Sequence, residues 1–326
     1  MPVKTRFEPR LGAATREAFG RALVELGREN KDIVVIDADI SKSTMTTYFA
    51  KEFPDRFFSC GITESNMIGV GAGLAMAGKI PFVSSFSAFA VDIFPVNNGF
   101  EQMRVCAAYG RSNLKVVGTH SGISIGEDGP SQMSVEEIAL ACSLTGFVVM
   151  APADETATKA LVRAAAEYDG PVFLRTGRPK APVVYAPGQR FEIGKSIEVA
   201  AGSDVTIIAN GLLVAQSMLA ADALEDEGIS VRVIDMHTVK PLDREAIARA
   251  AADTGAIVVA EEHLIDGGLG VRVAQVVVET NPCVMEFVGI HDRYAESGQP
   301  DELLEKYHLL STDIADAARK ALARKR

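Results

Sequence analysis

Short β-branched and aromatic runs alternate with longer stretches in which apolar residues recur every three to four positions. Such alternation of strand and helix periods predicts a mostly parallel sheet with helices on both faces. In the first part of the chain the pattern predicts strands over 33–36, 57–59, 82–85, 114–118, 148–150 and 172–174. Helices are expected between them, over 15–29, 64–77, 88–108, 135–144 and 155–168. The rhythm breaks from 178 to 194, where Pro179, Pro182, Pro187, Gly188 and Gly194 read as a linker. It resumes with strands over 205–209, 231–234, 257–260 and 284–287, and with helices over 214–227, 244–252, 270–279 and from Thr312 onward. The expectation is two α/β domains, 6–178 and 196–326, joined by a linker at 179–195.

Composition fits that frame. A chain of 326 residues, 48% hydrophobic and 23% charged, can bury a large core divided between two domains. A net charge of −10 argues against a nucleic-acid partner, because neutralising phosphates needs clustered Lys and Arg. The one basic cluster, Arg319-Lys320 with Arg324-Lys325-Arg326, ends a predicted helix, where cations complement the dipole. Cys60, Cys106, Cys142 and Cys283 lie far apart without C-x-x-C spacing, which fits reduced thiols. No apolar core follows the basic start Met1-Pro2-Val3-Lys4-Thr5-Arg6, and no stretch of membrane-spanning length lacks charges, so a cytoplasmic protein off the membrane is expected. The five histidines show no zinc-ligand spacing, and no metal site of the chain's own is expected.

Three segments carry candidate chemistry. Cys60-Gly61-Ile62-Thr63-Glu64-Ser65-Asn66 places one carboxylate between an aromatic strand and a small-residue helix over 68–77. Phe86-Ser87-Ala88-Phe89 follows, and then the acidic turn Gly126-Glu127-Asp128-Gly129-Pro130-Ser131-Gln132. Taken singly, each has a structural explanation. Glu64 suits the positive end of a helix dipole, Phe82, Phe86, Phe89 and Ile93 suit a buried helix stripe, and Asp128 suits a turn. The run Gly69-x-Gly71-x-Gly73 does not fit the dinucleotide fingerprint and reads as a surface for close helix packing. No Walker lysine motif and no G-x-S-x-G elbow occurs.

In this order and at these separations, the three segments together resemble the pyrimidine-binding half of the transketolase family. The resemblance runs on through Glu261-Glu262-His263 and Gly267-Gly268-Leu269-Gly270, covers about residues 6 to 326, and matches the second half of a full-length transketolase. It implies thiamine diphosphate, held between a pyrophosphate-binding domain of one polypeptide and the pyrimidine-binding domain of another. Glu64 would hydrogen-bond the aminopyrimidine ring nitrogen and favour the imino tautomer, which takes the proton from the thiazolium carbon. Phe86 and Phe89 would be the aromatic platform, and Asp39 resembles an acidic residue near the cofactor at the subunit junction. Arg16, Ser43 and Arg178 resemble residues that hold a sugar phosphate, a task suited to guanidinium forks. His120, also a catalytic candidate, and Asp128 resemble residues that contact the sugar hydroxyls and the phosphate end.

Two departures from the family pattern shape the functional expectation. No Gly-Asp-Gly occurs, so the diphosphate and its Mg2+ are expected to be held mainly by an N-terminal partner subunit. Where the pattern has His after Asp-Gly-Pro-Ser, this chain has Gln132, which leaves the ketose donor open. The resemblance implies the C-terminal subunit of a split transketolase of carbohydrate metabolism, self-associating and assembled two-and-two with its partner as a heterotetramer. Its reaction would be ketol transfer between ketose and aldose phosphates. Rival readings are a specialised sugar-catabolic transketolase, a deoxyxylulose-phosphate synthase relative, a 2-oxoacid dehydrogenase beta subunit, which the Gly-Glu-Asp-Gly-Pro-Ser turn fits less well, and a non-catalytic scaffold paralogue. Glu261, Glu262 and His263 are expected in subunit packing.

Overall fold

The computed structural model describes residues 6–91 and 99–325. Its strands in chain order are β1 (Leu11–Ala14), β2 (Ile33–Asp37), β3 (Phe57–Ser59), β4 (Ile80–Phe86), β5 (Lys115–Thr119), β6 (Val148–Met150), β7 (Val172–Arg175) and β8 (Lys180–Pro182). They continue as β9 (Ile197–Ala200), β10 (Val205–Ala209), β11 (Val231–Asp235), β12 (Thr238–Lys240), β13 (Ala256–Leu264) and β14 (Val284–Ile290). The first domain is a sheet in the order β12-β6-β7-β5-β4-β2-β3, the second a sheet in the order β14-β13-β10-β11-β9. Both are parallel except at one edge, where β12 runs antiparallel to β6 and β9 antiparallel to β11. Strands β2, β5 and β10 are buried at every position, which is why they read as continuous apolar runs: helices cover both faces of such a sheet.

The sheet of the first domain has a topological switch. From β2 the chain goes outward on one side to β3 and then crosses to β4 on the other, with β5, β7 and β6 beyond. Parallel α/β sheets bind ligands in the crevice outside the carboxyl ends of the strands at such a point. Asp37 ends β2, Ser59 ends β3 and Phe86 ends β4, so the crevice lies beside the Gly61–Glu64 segment.

The helices Thr15–Glu29, Glu64–Met76 and Glu155–Glu167 stand where the periodicity places them. Gly71 explains one close approach: a Cβ there would stand 2.5 Å from Val83 Cγ1 on β4. The helix expected over 88–108 is described as Ser87–Ala90, Gly99–Gln102 and a wide-turned segment Met103–Tyr109. Phe82 and Phe86 lie on β4 and Phe89 on the short helix that follows, so they form no single helical stripe. Ile93 lies outside the described residues.

The two domains share their interior. One apolar cluster joins Val83 and Phe173 to Ile208 and Val259, and β12, from beyond the linker, completes the edge of the first sheet. The Pro- and Gly-rich stretch is itself anchored, since β8 pairs antiparallel with β1 and Tyr185 is buried. Strands β1, β8, β9 and β12 are not among those that the periodicity predicts.

Candidate functional site

At the carboxyl edge of the first sheet, Gly61 turns the chain with a left-handed φ of +71°, a conformation that suits residues lacking Cβ. Thr63 Oγ1 then donates to the Cys60 carbonyl at 2.8 Å, and the helix opens on Glu64. The Glu64 side chain is buried, and its Oε1 accepts a hydrogen bond from Ser85 Oγ on β4 at 3.2 Å. Burial holds this carboxyl above the usual carboxylate range; the Ser85 hydrogen bond opposes that shift and the nearby charge of Asp37 adds to it.

Beside it, Phe86 and Phe89 stack with ring centroids 5.3 Å apart. His120, just beyond β5, stacks on Phe86 at 3.8 Å. The residue is buried with a left-handed φ of +59°, and its Nε2 lies 2.9 Å from Arg16 Nη1. Burial, then the charges of Arg16 and Arg178, lower its pKa to about 3. The same Arg16 nitrogen donates to the Ser43 carbonyl at 2.8 Å, while Arg16 Nε is buried with no acceptor among the described residues. Burial and then the neighbouring Arg178 press the Arg16 guanidinium below its ordinary range. Two cations facing each other, one of them incompletely satisfied, favour an anion between or beside them.

The remaining expected residues stand differently. Arg178 Nη1 donates to the Ile125 carbonyl at 2.7 Å and pairs with Glu127 at 3.3 Å and Asp128 at 3.6 Å. Asp128 is exposed and Gln132 half-buried, with Gln132 Oε1 accepting from Ser131 Oγ at 2.7 Å. Ser43 takes part through its backbone carbonyl. Asp39 is exposed and left-handed, with a φ of +68°. The wholly buried carboxylate of this region is Asp37, which the sequence pattern did not single out; its signal was a carboxylate closing the apolar run Ile33–Asp37.

Glu261, Glu262 and His263, expected in subunit packing, are instead buried within one chain: Glu262 and His263 meet the first domain at Ser124 and Ala139, and Glu261 caps a helix of its own domain. Arg175 on β7 pairs with Glu137 and donates to the Glu262 carbonyl at 2.7 Å. Glu262 Oε1 accepts from Ser124 N at 2.7 Å, and Glu261 accepts from the N–H groups of Leu269 and Gly270 at the start of the helix Leu269–Glu279. All of these side chains are buried, and a buried charge persists only when paired or hydrogen-bonded. A cavity of about 30 Å³, enough for a water molecule or two, lies against Arg175 and Glu262.

Topology and site define a two-domain α/β protein with a desolvated carboxyl and an aromatic platform at a strand crossover. Family models described as "Transketolase, pyrimidine binding domain" and "Transketolase, C-terminal domain" match residues 12–183 and 194–314. A putative transketolase C-terminal section from Methanocaldococcus jannaschii is 43% identical, over 92% of this chain and 93% of that protein. The 6-deoxy-6-sulfo-D-fructose transketolase subunit SqwH from a Clostridium species is 37% identical, over 95% of each. A solved structure described as "Split gene transketolase, inactive beta4 tetramer" superposes with a TM-score of 0.89 at 48% identity, covering 97% of this chain and 100% of that one. The chain spans about half the length of the mammalian transketolases it matches. It belongs to the transketolase family and carries that family's pyrimidine-binding and C-terminal domains.

Proposed function

We propose that this chain is the C-terminal subunit of a split, thiamine-diphosphate-dependent transketolase. With a separate N-terminal subunit it transfers a two-carbon ketol unit from a ketose phosphate to an aldose phosphate. The observation that carries this reading is the buried Glu64 carboxyl, with a single side-chain donor, beside the stacked rings of Phe86 and Phe89. A flat nitrogen heterocycle fits that pairing, since rings stack on rings and a desolvated carboxyl shares a proton with a ring nitrogen more readily than a solvated one does. When bound, thiamine diphosphate supplies the stabilised carbanion of ketol transfer.

The chain's own residues bind, orient and hold protons. Glu64 holds the proton at the ring nitrogen, and Phe86 and Phe89 fix the ring plane. His120, neutral and held at both ring nitrogens by Arg16 and Thr119, stacks on Phe86 and walls the sugar side of the site, while Arg16 and Arg178 hold the phosphate. Ser43 keeps Arg16 in place, Asp128 and Gln132 line the turn beside Arg178, and Asp39 faces the partner near the cofactor. Mg2+ and the diphosphate fall to the N-terminal subunit, because Gly-Asp-Gly is missing here. Self-association and a two-and-two assembly draw support from the structural relative, itself described as a beta4 tetramer.

The domain limits 6–178 and 196–326, the linker 179–195 and a cytoplasmic location belong to the same proposal; among the described residues no helix is long and apolar enough to cross a membrane. Reconstitution tests the whole. Chain alone should bind thiamine diphosphate weakly and transfer nothing, and chain with its partner should do both. Tight, magnesium-dependent binding by the chain alone would overturn it.

A further inference from the structure

Two buried carboxyls close the carboxyl edge of the first sheet, and their surroundings differ. Asp37 has no exposed surface. Its Oδ1 accepts from Ile40 N at 2.7 Å, and its Oδ2 from Thr44 Oγ1 at 2.7 Å and Thr46 Oγ1 at 2.9 Å. Glu64 receives one side-chain donor, Ser85 Oγ. Burial penalises charge on both, and two neighbouring like charges disfavour each other. Burial raises both carboxyls, Asp37 included, and three donors converge on Asp37 against the one side-chain donor on Glu64, so of the two Asp37 is the better placed to hold charge and Glu64 the proton. Environments that push two carboxyls apart in this way separate their roles. Among the described residues, the other titratable groups facing the pair are Asp39, on the turn after β2, and the Cys60 thiol after β3, which burial and then Asp37 hold in the neutral form.

Asp37 also touches both walls of the site, one through its backbone carbonyl and the other through its carboxylate. Its carbonyl accepts from Cys60 N at 3.0 Å, at the entry to the turn that ends on Glu64. Its carboxylate ties down the 40–46 loop, where the Ser43 carbonyl receives Arg16, and Arg16 in turn holds His120. We infer that Asp37 is a positioning residue with two outputs: a fixed negative charge that keeps the exchangeable proton on Glu64, and an anchor that places the Ser43 carbonyl for Arg16. The functional meaning of both outputs rests on the reading of the site given above, whereas the coupling of the two carboxyls does not.

Infrared titration of the full chain tests the first output. The protonated-carboxyl band of Glu64 is identified by its loss in Glu64→Gln. In Asp37→Asn, which is isosteric, its midpoint is expected to fall by about one pH unit or more, the size of a lost like-charge neighbour. Thr46→Val, which removes one donor from Asp37, should move it the same way by less. A midpoint that stays put or rises overturns the inference, and if Asp37→Asn does not fold, Thr46→Val decides alone. For the second output, Asp37→Asn assembled with the N-terminal subunit should raise KM for the sugar phosphate severalfold, and an unchanged KM overturns the anchor. Full turnover in assembled Glu64→Gln would instead overturn the transketolase reading and leave the infrared result standing.

Discussion

Arg16 Nη1 lies 2.9 Å from His120 Nε2, and because a guanidinium carries only donors, that ring nitrogen must present its lone pair. The ring proton therefore rides on Nδ1, 2.8 Å from Thr119 Oγ1. Protonating Nε2 would set a cation against Arg16 in a buried site, consistent with the pKa lowered to about 3 by burial and then by Arg16 and Arg178. The folded value lies below the ordinary 6.5, so this group costs stability as pH falls from about 6.5 toward 3, and it does not titrate above that window. Nitrogen-15 shifts of His120 are expected to show one protonated Nδ1 and one bare Nε2, constant from about pH 5 to 9. A midpoint near 6.5 would show that Arg16 does not hold the ring.

Glu64→Gln removes a buried carboxyl and keeps its shape and its acceptor for Ser85. Folding and partner binding should persist, because a neutral amide is no harder to bury than a protonated acid. Turnover of the assembled, cofactor-saturated enzyme should drop by roughly 10²–10⁴-fold, the usual loss when a proton-handling group is removed. Steady-state kinetics beside a thermal melt checks this; an unchanged kcat rules out the proposed role.

Much of this architecture is written in the chain itself. The apolar runs of β2, β5 and β10 are buried at every position, so their places in the sequence mark the central parallel strands of both sheets. Glu64, Phe86 and Phe89 stand out in the sequence only through the joint order of the three segments that carry the family resemblance, since each alone has a structural explanation. Asp37 does not stand out, since a carboxylate after a strand commonly reads as a turn residue, and only tertiary hydrogen bonds from Thr44 and Thr46 distinguish it. Asp39, the residue that the family resemblance points to, stands exposed. Nor could spacing reveal that Glu262 meets Arg175 across a separation of 87 residues.

Gln132 stands where the family pattern has histidine, half-buried and hydrogen-bonded to Ser131. An amide keeps hydrogen bonds but cannot carry a proton near neutral pH. Gln132→His should change the ratio of kcat/KM between xylulose 5-phosphate and a second ketose donor by the equivalent of about 1–3 kcal/mol, one pocket contact. Competition assays over several donors measure that ratio, and an unaltered ratio would remove Gln132 from the specificity determinants.

Asp235, at the end of β11, has no exposed surface. One oxygen accepts the Tyr185 hydroxyl at 2.6 Å, and the other has no partner among the described residues. Burial is the main force raising its pKa to about 7; the Tyr185 hydrogen bond opposes the rise, and Asp154 adds to it. With the folded value above the unfolded 3.8, the contribution to stability is full below about 3.8 and is lost as pH climbs through about 7. Asp235→Asn keeps an acceptor for Tyr185 and removes the titration. The variant should therefore gain on the wild type as pH rises from about 4 to 7, at up to about 1.4 kcal/mol per pH unit. Denaturant melts of both proteins at several pH values give the difference directly, and a difference that stays flat across this window would place the ionisation of Asp235 outside it.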